Sequence, residues 1–295
     1  HSPSPQKKIA HARLPKAHGK VIIRTTVSNK VVGGTFTYAP FRIDHCSFSD
    51  TTGANVTFIE NNGNARGLID NNNFYAGGAS EMIHNMGLGA ETSDGWIDSV
   101  SPGSPDAVYI EDNNFYKNDV SGNPAYFWGC SALQSYYGSR SVFRYNYLYM
   151  AQVDQHGTAG AIGARWWEIY ENTFHVAENG NQCCYVVLRG GSGVVFNNHV
   201  VGYKNLGGGG IILYEEDAGY PALYQIGRGQ NQVLAPAYIW GNDSSMRIIA
   251  NSSNVVVNRD FYLSTAPKYV AYDYPYPLGN QLPNLAPPSG LRVTQ

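Results

Sequence analysis

The sequence contains few charged residues and has no strong bias toward either sign. Asp, Glu, Lys and Arg make up 14% of its 295 residues, and the formal net charge is −2. A surface that binds nucleic acid normally carries a clear excess of basic residues. No apolar run reaches the roughly 18 residues that a membrane-spanning helix needs. We therefore expect neither a nucleic-acid partner nor a membrane span.

An apolar period of 3.6 residues is also missing. Ankyrin, tetratricopeptide and other helical repeats need that period, so the sequence excludes them. The chain does contain 33 glycines and 15 prolines, which supply many turns, and 43% of its residues are hydrophobic. This composition allows one long core that is interrupted by frequent turns.

Cysteine is scarce. The four cysteines are Cys46, Cys130, Cys183 and Cys184. Adjacent cysteines are poor partners for each other because of disulfide geometry. The sequence is compatible with one bridge, for instance from Cys130 to Cys183 or Cys184, and equally with buried thiols.

The most informative feature of the sequence is a six-residue phrase that recurs along it. Close copies occupy residues 43–48, 69–74, 110–115 and 169–174, and looser copies start at Phe143, Val195, Ile239 and Val256. The first three copies start 26 residues apart (43 to 69) and 41 residues apart (69 to 110). A repeating unit of this size indicates stacked coils.

Each phrase has the pattern of a strand that turns a corner into the next strand. A β-branched or aromatic residue opens it and an apolar residue closes it, so the first and sixth columns are predicted to line the bore. The fourth column is Cys46, Asn72, Asn113, Asn146, Asn172, Asn198 and Asn242. Stacked asparagines can hydrogen-bond along a corner and tolerate left-handed backbone angles.

These Ile-x-x-Asn-x-Phe phrases, repeated over residues 41 to 261, resemble the right-handed β-helix region of the pectate-lyase-like superfamily. The resemblance implies an all-β fold, a single-stranded right-handed parallel β-helix (solenoid) of about ten coils with long loop insertions. We expect residues 1–271 to form this β-helix with an N-terminal extension. Residues 272–295 are expected to form a Pro-rich C-terminal strap or linker.

The superfamily includes polysaccharide lyases, glycoside hydrolases, epimerases, phage tailspikes and adhesins, so the fold does not determine the chemistry. No subfamily signature matches residue by residue, and no catalytic assignment is carried over. The segments 75–107 and 116–140 are long, and we predict that they form groove walls next to the middle coils. The candidate residues therefore come from the coils themselves.

A first candidate site follows from alternation along the strands, which points the second position of each phrase outward. That column is Asp44, Asp70, Glu111, Arg144, Tyr170, Phe196 and Trp240. Aromatic rings can stack on sugars, and charged groups can reach hydroxyls or uronates. The predicted substrate-binding residues are Asp70, Glu111, Arg144, Tyr170 and Trp240. Acids on neighbouring rungs, about 5 Å apart, would also suit a retaining glycosidase. The alternatives are a solvated face, a side-chain ladder or a cation site.

A second candidate site lies in the middle coils. Asp154 and His156 are two residues apart on a predicted strand, and consecutive coils bring Arg165 and Arg189 alongside them. A histidine beside a carboxylate is a proton-transfer pair, and an arginine supplies charge for a substrate carboxylate. We predict Asp154, His156 and Arg165 as catalytic and Arg189 as substrate-binding. β-Elimination on a uronate polymer suits this set, and hydrolysis almost as well. The alternative is that these residues only hold loops and corners together.

The sequence thus favours a secreted, extracellular carbohydrate-active protein, a polysaccharide lyase or glycoside hydrolase whose partner is a polysaccharide or cell-surface glycan. The alternative is a non-catalytic β-helical adhesin, a tailspike-like glycan-binding shaft or a filament subunit that self-associates. No cofactor is predicted with the exception of Ca²⁺, which carboxylates of the run Glu215-Glu216-Asp217 could bind. That run is otherwise a solvated turn.

Overall fold

The computed structural model describes residues 21–23, 26–28, 32–35, 40–50, 56–62, 66–77, 80–87, 96, 99–117, 130–157, 162–178, 184–202, 209–215 and 222–277. Within these ranges the chain forms 24 β-strands and a 3-10 turn at Gln230–Gln232. No helix of this part of the chain has the length and hydropathy needed to cross a membrane.

The strands form three sheets in which every pairing between strands is parallel. Sheet A contains β1 (Val21–Ile23), β4 (Pro40–Asp44), β7 (Arg66–Asp70), β10 (Val108–Glu111), β13 (Arg140–Arg144), β16 (Trp166–Tyr170), β19 (Ser192–Phe196), β22 (Ala237–Trp240) and β24 (Phe261–Tyr262). Sheet B contains β2 (Thr26–Ser28), β5 (Ser47–Ser49), β8 (Asn73–Ala76), β11 (Asn114–Lys117), β14 (Tyr147–Tyr149), β17 (Thr173–Val176) and β20 (His199–Gly202). Sheet C contains β3 (Val32–Thr35), β6 (Ile59–Asn62), β9 (Glu81–Met86), β12 (Ser131–Tyr136), β15 (Gln152–Gln155), β18 (Val186–Leu188), β21 (Gly210–Leu213) and β23 (Arg247–Ala250).

Successive strands of the chain alternate between the three sheets, and each strand pairs with its counterpart in the next coil. This winding confirms the predicted all-β parallel β-helix. The nine strands of sheet A agree with the predicted number of coils.

The predicted asparagine column is present at the corner between sheets A and B. Asn146 is typical: its Nδ2 donates to the carbonyl oxygen of Ile110 at 2.9 Å, and its Oδ1 accepts from the backbone N of Asn113 at 3.0 Å. Cys46, at the start of the column, donates its backbone N–H to Asn72 Oδ1 at 2.9 Å. The left-handed residue of each corner is the one before the asparagine, for example Glu171 with φ of 56°.

The first and sixth columns line the bore, as predicted. The rings of Phe48 and Phe74 stack at 4.8 Å between centroids, and those of Phe74 and Phe115 stack at 4.7 Å. All three residues are fully buried in one hydrophobic cluster that runs along the helix. The prediction of a repeat phrase starting at Val256 is wrong. The strand that pairs with β22 is β24, in which Tyr262 is opposite Tyr238.

The cysteines differ in oxidation state. Cys46 and Cys130 are buried free thiols, whereas Cys184 is disulfide-bonded. Of the two alternatives, the buried thiol is therefore confirmed for Cys130 and a bridge from it is wrong, whereas Cys183 lies outside the described ranges. Burial raises the pKa of Cys130 to about 12, so this thiol stays protonated and unreactive at neutral pH.

A C-terminal segment, the strap (residues 269–276), crosses the outer face of sheet A. Tyr269 donates its hydroxyl to Glu168 Oε2 at 2.5 Å, and Tyr276 donates its backbone N–H to Glu111 Oε1 at 2.7 Å. The ring of Tyr276 packs 4.4 Å from that of Tyr109, in an apolar cluster that includes Val142. The strap therefore runs back over the middle coils. Residues 278–295, the rest of the predicted strap or linker, lie outside the described ranges.

Candidate functional site

The predicted outward column of sheet A is in register from coil to coil. Asp44 pairs with Asp70, Asp70 with Glu111, Glu111 with Arg144, and Arg144 with Tyr170, which is followed by Phe196 and Trp240. The side chains nevertheless contact protein. Glu111 and Arg144 are 1% and 0% exposed, and Asp70 accepts both Nε and Nη2 of Arg42, at 2.8 and 2.5 Å.

Arg144 is the centre of this covered column. It donates to Glu111 Oε2 at 2.7 Å, to the Tyr170 hydroxyl at 2.8 Å, and to the strap carbonyls of Tyr272 and Asp273 at 2.7 and 2.8 Å.

The aromatic end of the column is a side-chain ladder. The rings of Tyr170 and Phe196 stack at 4.5 Å, as do those of Phe196 and Trp240. Tyr269 of the strap packs edge-on against Phe196 and Trp240. The strap thus lies over the face on which a glycan groove was predicted.

The second predicted site lies on the outer face of sheet C, where the register places Glu60, His84, Gln134 and Asp154 in one row. Asp154 accepts Nε and Nη2 of Arg189 at 3.0 and 2.5 Å. Both residues are buried, at 3% and 8% exposure. The two hydrogen bonds of this pair therefore hold both side chains in fixed positions on the floor of the site.

Around this ion pair lie aromatic and titratable groups from three neighbouring coils. The ring of Tyr136 stacks on His156 at 4.0 Å and meets His84 edge-on at 5.0 Å. Gln134 Nε2 donates to the Tyr136 hydroxyl at 2.5 Å, and Glu81 Oε2 lies 3.2 Å from His84 Nε2. We call this set the sheet C cluster: Glu81, His84, Gln134, Tyr136, Asp154, His156 and Arg189.

The environment shifts the titration of these groups in opposite directions. Burial, reinforced by the charge of Arg189, lowers the pKa of His156 to about 3. Burial also lowers the pKa of His84, whereas burial and the nearby charge of Asp154 raise the pKa of Glu81. Burial raises the pKa of Tyr136 as well. Both imidazoles are therefore neutral at pH 7, beside a protonated phenol and a carboxyl group that holds its proton more tightly than usual.

Access to the cluster is uneven. The side chain of Glu81 is 34% exposed and that of His84 is 17% exposed, whereas Asp154 and Arg189 lie beneath them. His84 Nε2 is itself buried and has no hydrogen-bond partner in the described ranges, because its approach to Glu81 is not well oriented.

Arg165 makes different contacts from those predicted. Its guanidinium lies 5.4 Å from the ring of Trp96, and Arg140 is the charge that acts on it most strongly. Within the described ranges, no hydrogen bond or ion pair joins Arg165 to Asp154, His156 or Arg189.

Glu81, His84 and Tyr136 were not found from the sequence, because they lie outside the repeated phrase, in segments 75–107 and 116–140 that were predicted to be groove walls. That prediction is wrong for β9 and β12, which these segments contribute to sheet C. The signal in β9 is weak, because Met82 and Ile83 are both buried between half-buried Glu81 and His84 and the strand does not alternate strictly.

The predicted calcium run is described only at Glu215, whose Oε2 accepts from Ser252 Oγ at 3.4 Å. Glu216 and Asp217 lie outside the described ranges. Among the residues that are described, no three His, Cys, Asp or Glu side chains converge as metal ligands would.

Comparisons of the chain with protein-family models, with curated proteins and with solved structures gave no match.

Proposed function

We propose that this protein is an extracellular carbohydrate-active enzyme that cleaves an extended, uronate-containing glycan by β-elimination at the sheet C cluster. The observation that carries the proposal is that two neutral imidazoles lie beside a protonated phenol and a carboxyl group whose pKa is raised, in a cluster that is exposed at Glu81 and His84. Strongly shifted titration that has a specific physical cause marks functional sites.

Three side chains have suitable roles in this reaction. His84, whose imidazole is partly exposed and neutral at pH 7, is the base that removes the proton beside the uronate carboxylate. Tyr136 is the acid that protonates the leaving glycosidic oxygen. Glu81, when protonated, donates to the substrate carboxylate and reduces its negative charge as the enolate forms.

The remaining members of the cluster act as positioning residues. His156 packs against the face of Tyr136 and stays neutral, so it does not compete for the transferred proton. The Asp154–Arg189 pair fixes the floor of the cluster. Arg165 is not placed in this machinery, because its guanidinium lies under Trp96.

The state of Asp154 removes one carboxyl group from a hydrolytic mechanism. Glycoside hydrolysis commonly uses two carboxyl groups that flank the bond. Asp154 is buried and bound at both oxygens by Arg189, so a hydrolase would have to use Glu81 together with Glu60, which is half-buried in the same row. The disulfide at Cys184 supports an extracellular location, because disulfides persist in oxidising compartments.

A non-catalytic glycan-binding shaft is the second candidate, and one observation favours it. The outer face of sheet B carries a half-exposed aromatic stripe in which Tyr75 and Tyr116 stack at 5.0 Å. Tyr149 and His175 continue the stripe in the next two coils. Such a row offers hydroxyl groups at the spacing of the coils, about 4.8 Å.

The test is to incubate the protein with uronate polymers and neutral polysaccharides, and to record both the absorbance of unsaturated uronates and the release of reducing ends. Tyr136→Phe is expected to lower kcat at least about 10²-fold with little change in the folded state, as expected for loss of a general acid. Tyr116→Phe, on sheet B, is the matched control and should leave kcat unchanged.

Equal kcat for Tyr136→Phe and the wild type would refute the assignment. Reducing ends without unsaturated products would identify a hydrolase instead. Glycan binding without turnover, weakened by Tyr116→Phe, would establish the shaft.

A further inference from the structure

The corner between sheets C and A buries a positive charge. Arg165, just before β16, is 5% exposed, and its Nε is buried without a hydrogen-bond acceptor in the described ranges. The indole of Trp96, 2% exposed, covers the guanidinium. Trp96 is itself fixed, because its Nε1 donates to the carbonyl oxygen of Gly163 at 3.0 Å and its ring packs 5.1 Å from that of Tyr224.

The positive charge at this corner is not neutralised by a carboxylate of the described residues. Burial, followed by the nearby charge of Arg140, lowers the pKa of Arg165 to about 10, so the guanidinium still carries its charge at neutral pH. No carboxylate of the described residues contributes to that shift. Buried ionised side chains are normally paired, because an unpaired charge loses its hydration without compensation. A ring face compensates for only part of that loss.

We propose that Arg165 binds a small monoanion in this corner, for which chloride is the abundant candidate. The unused Nε–H of Arg165 offers one donor to a small negative ion, and the nearby positive charge of Arg140 adds to the attraction. The surroundings favour a small ion over a sugar carboxylate, because Trp96 closes one side. The backbone of Gly229 lies close on another side. A Cβ atom added to Gly229 would be 3.7 Å from Arg165 Nη2. This site does not depend on the acid–base chemistry of the sheet C cluster.

Bromide diffraction on the wild-type protein tests the proposal directly. Crystals grown in sodium bromide in place of sodium chloride are expected to show an anomalous peak within hydrogen-bond distance of Arg165 Nε. Arg165→Met should lose that peak. Arg66→Met, which removes a half-exposed guanidinium paired with Asp106 at 3.1 Å, should keep it.

A solution measurement complements the diffraction. At constant ionic strength, replacing a large, poorly bound organic anion with chloride should raise the melting temperature of the wild type and of Arg66→Met, and should not change that of Arg165→Met.

The absence of an anomalous peak at Arg165 in wild-type crystals would overturn the proposal, and this result does not require any variant to fold. Bromide found only on exposed residues would overturn it equally. A glucuronate soak that places its carboxylate on Arg165 would reassign the site to substrate. Glycan cleavage is measured separately in chloride-free buffer, so failure of the anion site and failure of the proposed enzyme remain distinguishable.

Discussion

Replacing Arg144 with methionine should be one of the most damaging single changes in the strap region. The substitution keeps much of the side-chain volume and removes hydrogen bonds to Glu111, Tyr170 and the two strap carbonyls. It leaves the carboxylate of Glu111, 1% exposed, without its cation. Breaking a buried ion pair by removing one partner costs about 3–5 kcal/mol, and we expect Arg144→Met to lower the free energy of unfolding by that amount.

A double-mutant cycle separates the pair from the packing. Arg144→Met combined with Glu111→Gln removes both charges, so the double variant should be more stable than the sum of the single losses predicts, by about 2 kcal/mol or more. Arg66→Met provides the exposed control, because its pair with Asp106 is solvated and contributes less than about 1 kcal/mol.

Urea unfolding followed by circular dichroism measures these energies, and hydrogen exchange at the Tyr276 amide reports whether the strap stays attached. A loss below about 1 kcal/mol for Arg144→Met, or simple additivity in the cycle, would show that the pair is not coupled and would refute the reasoning.

Two further predictions concern the corners and the pH response. Asn146→Ala removes the hydrogen bonds that Asn146 makes to the buried Ile110 carbonyl and Asn113 N–H, so urea unfolding should show a loss of about 3 kcal/mol, whereas Asn242→Ala at the half-buried end of the column should cost about 1 kcal/mol. Equal losses would contradict a cooperative ladder. The pKa of His156 is about 3 in the folded protein and 6.5 in the unfolded chain, so acidification below about 6.5 protonates the unfolded state first and stability falls toward pH 3. Because His156→Gln removes the titrating imidazole, it should reduce the slope of stability against pH by at most about 1.4 kcal/mol per pH unit. The slope above about pH 7 should not change. An unchanged slope would show that His156 titrates normally.

The repeat determined most of the fold at the level of single residues. Because side chains alternate strictly along a strand, the second column could be assigned from spacing alone, and Glu111 lies beside Asp70 despite the 41-residue interval between their phrases. The asparagine column followed from the same logic, since each member needs the next coil to complete its hydrogen bonds.

The covering of that column could not be derived from the repeat. The strap contacts Arg144 and Glu111 from positions 128 and 165 residues further along the chain, and no periodic signal links such distant segments. The sheet C cluster was only partly predicted for a related reason. Asp154, His156 and Arg189 follow repeat phrases, whereas Glu81 and Tyr136 are end residues of β9 and β12, two sheet C strands that carry no repeat phrase, so their side-chain directions depend on where each strand begins and ends.

The strap also changes how the whole molecule should unfold. In a solenoid, each coil normally senses only its immediate neighbours, so end coils can fray one by one in a nearly one-dimensional process. A tether that runs from Trp240 back to Glu111 joins coils that are several rungs apart. Loss of the last coils therefore requires release of the tether from the middle of the rod. This long-range link should make melting of the C-terminal half more cooperative than an untethered array allows, and should slow its refolding, because distant segments must meet first.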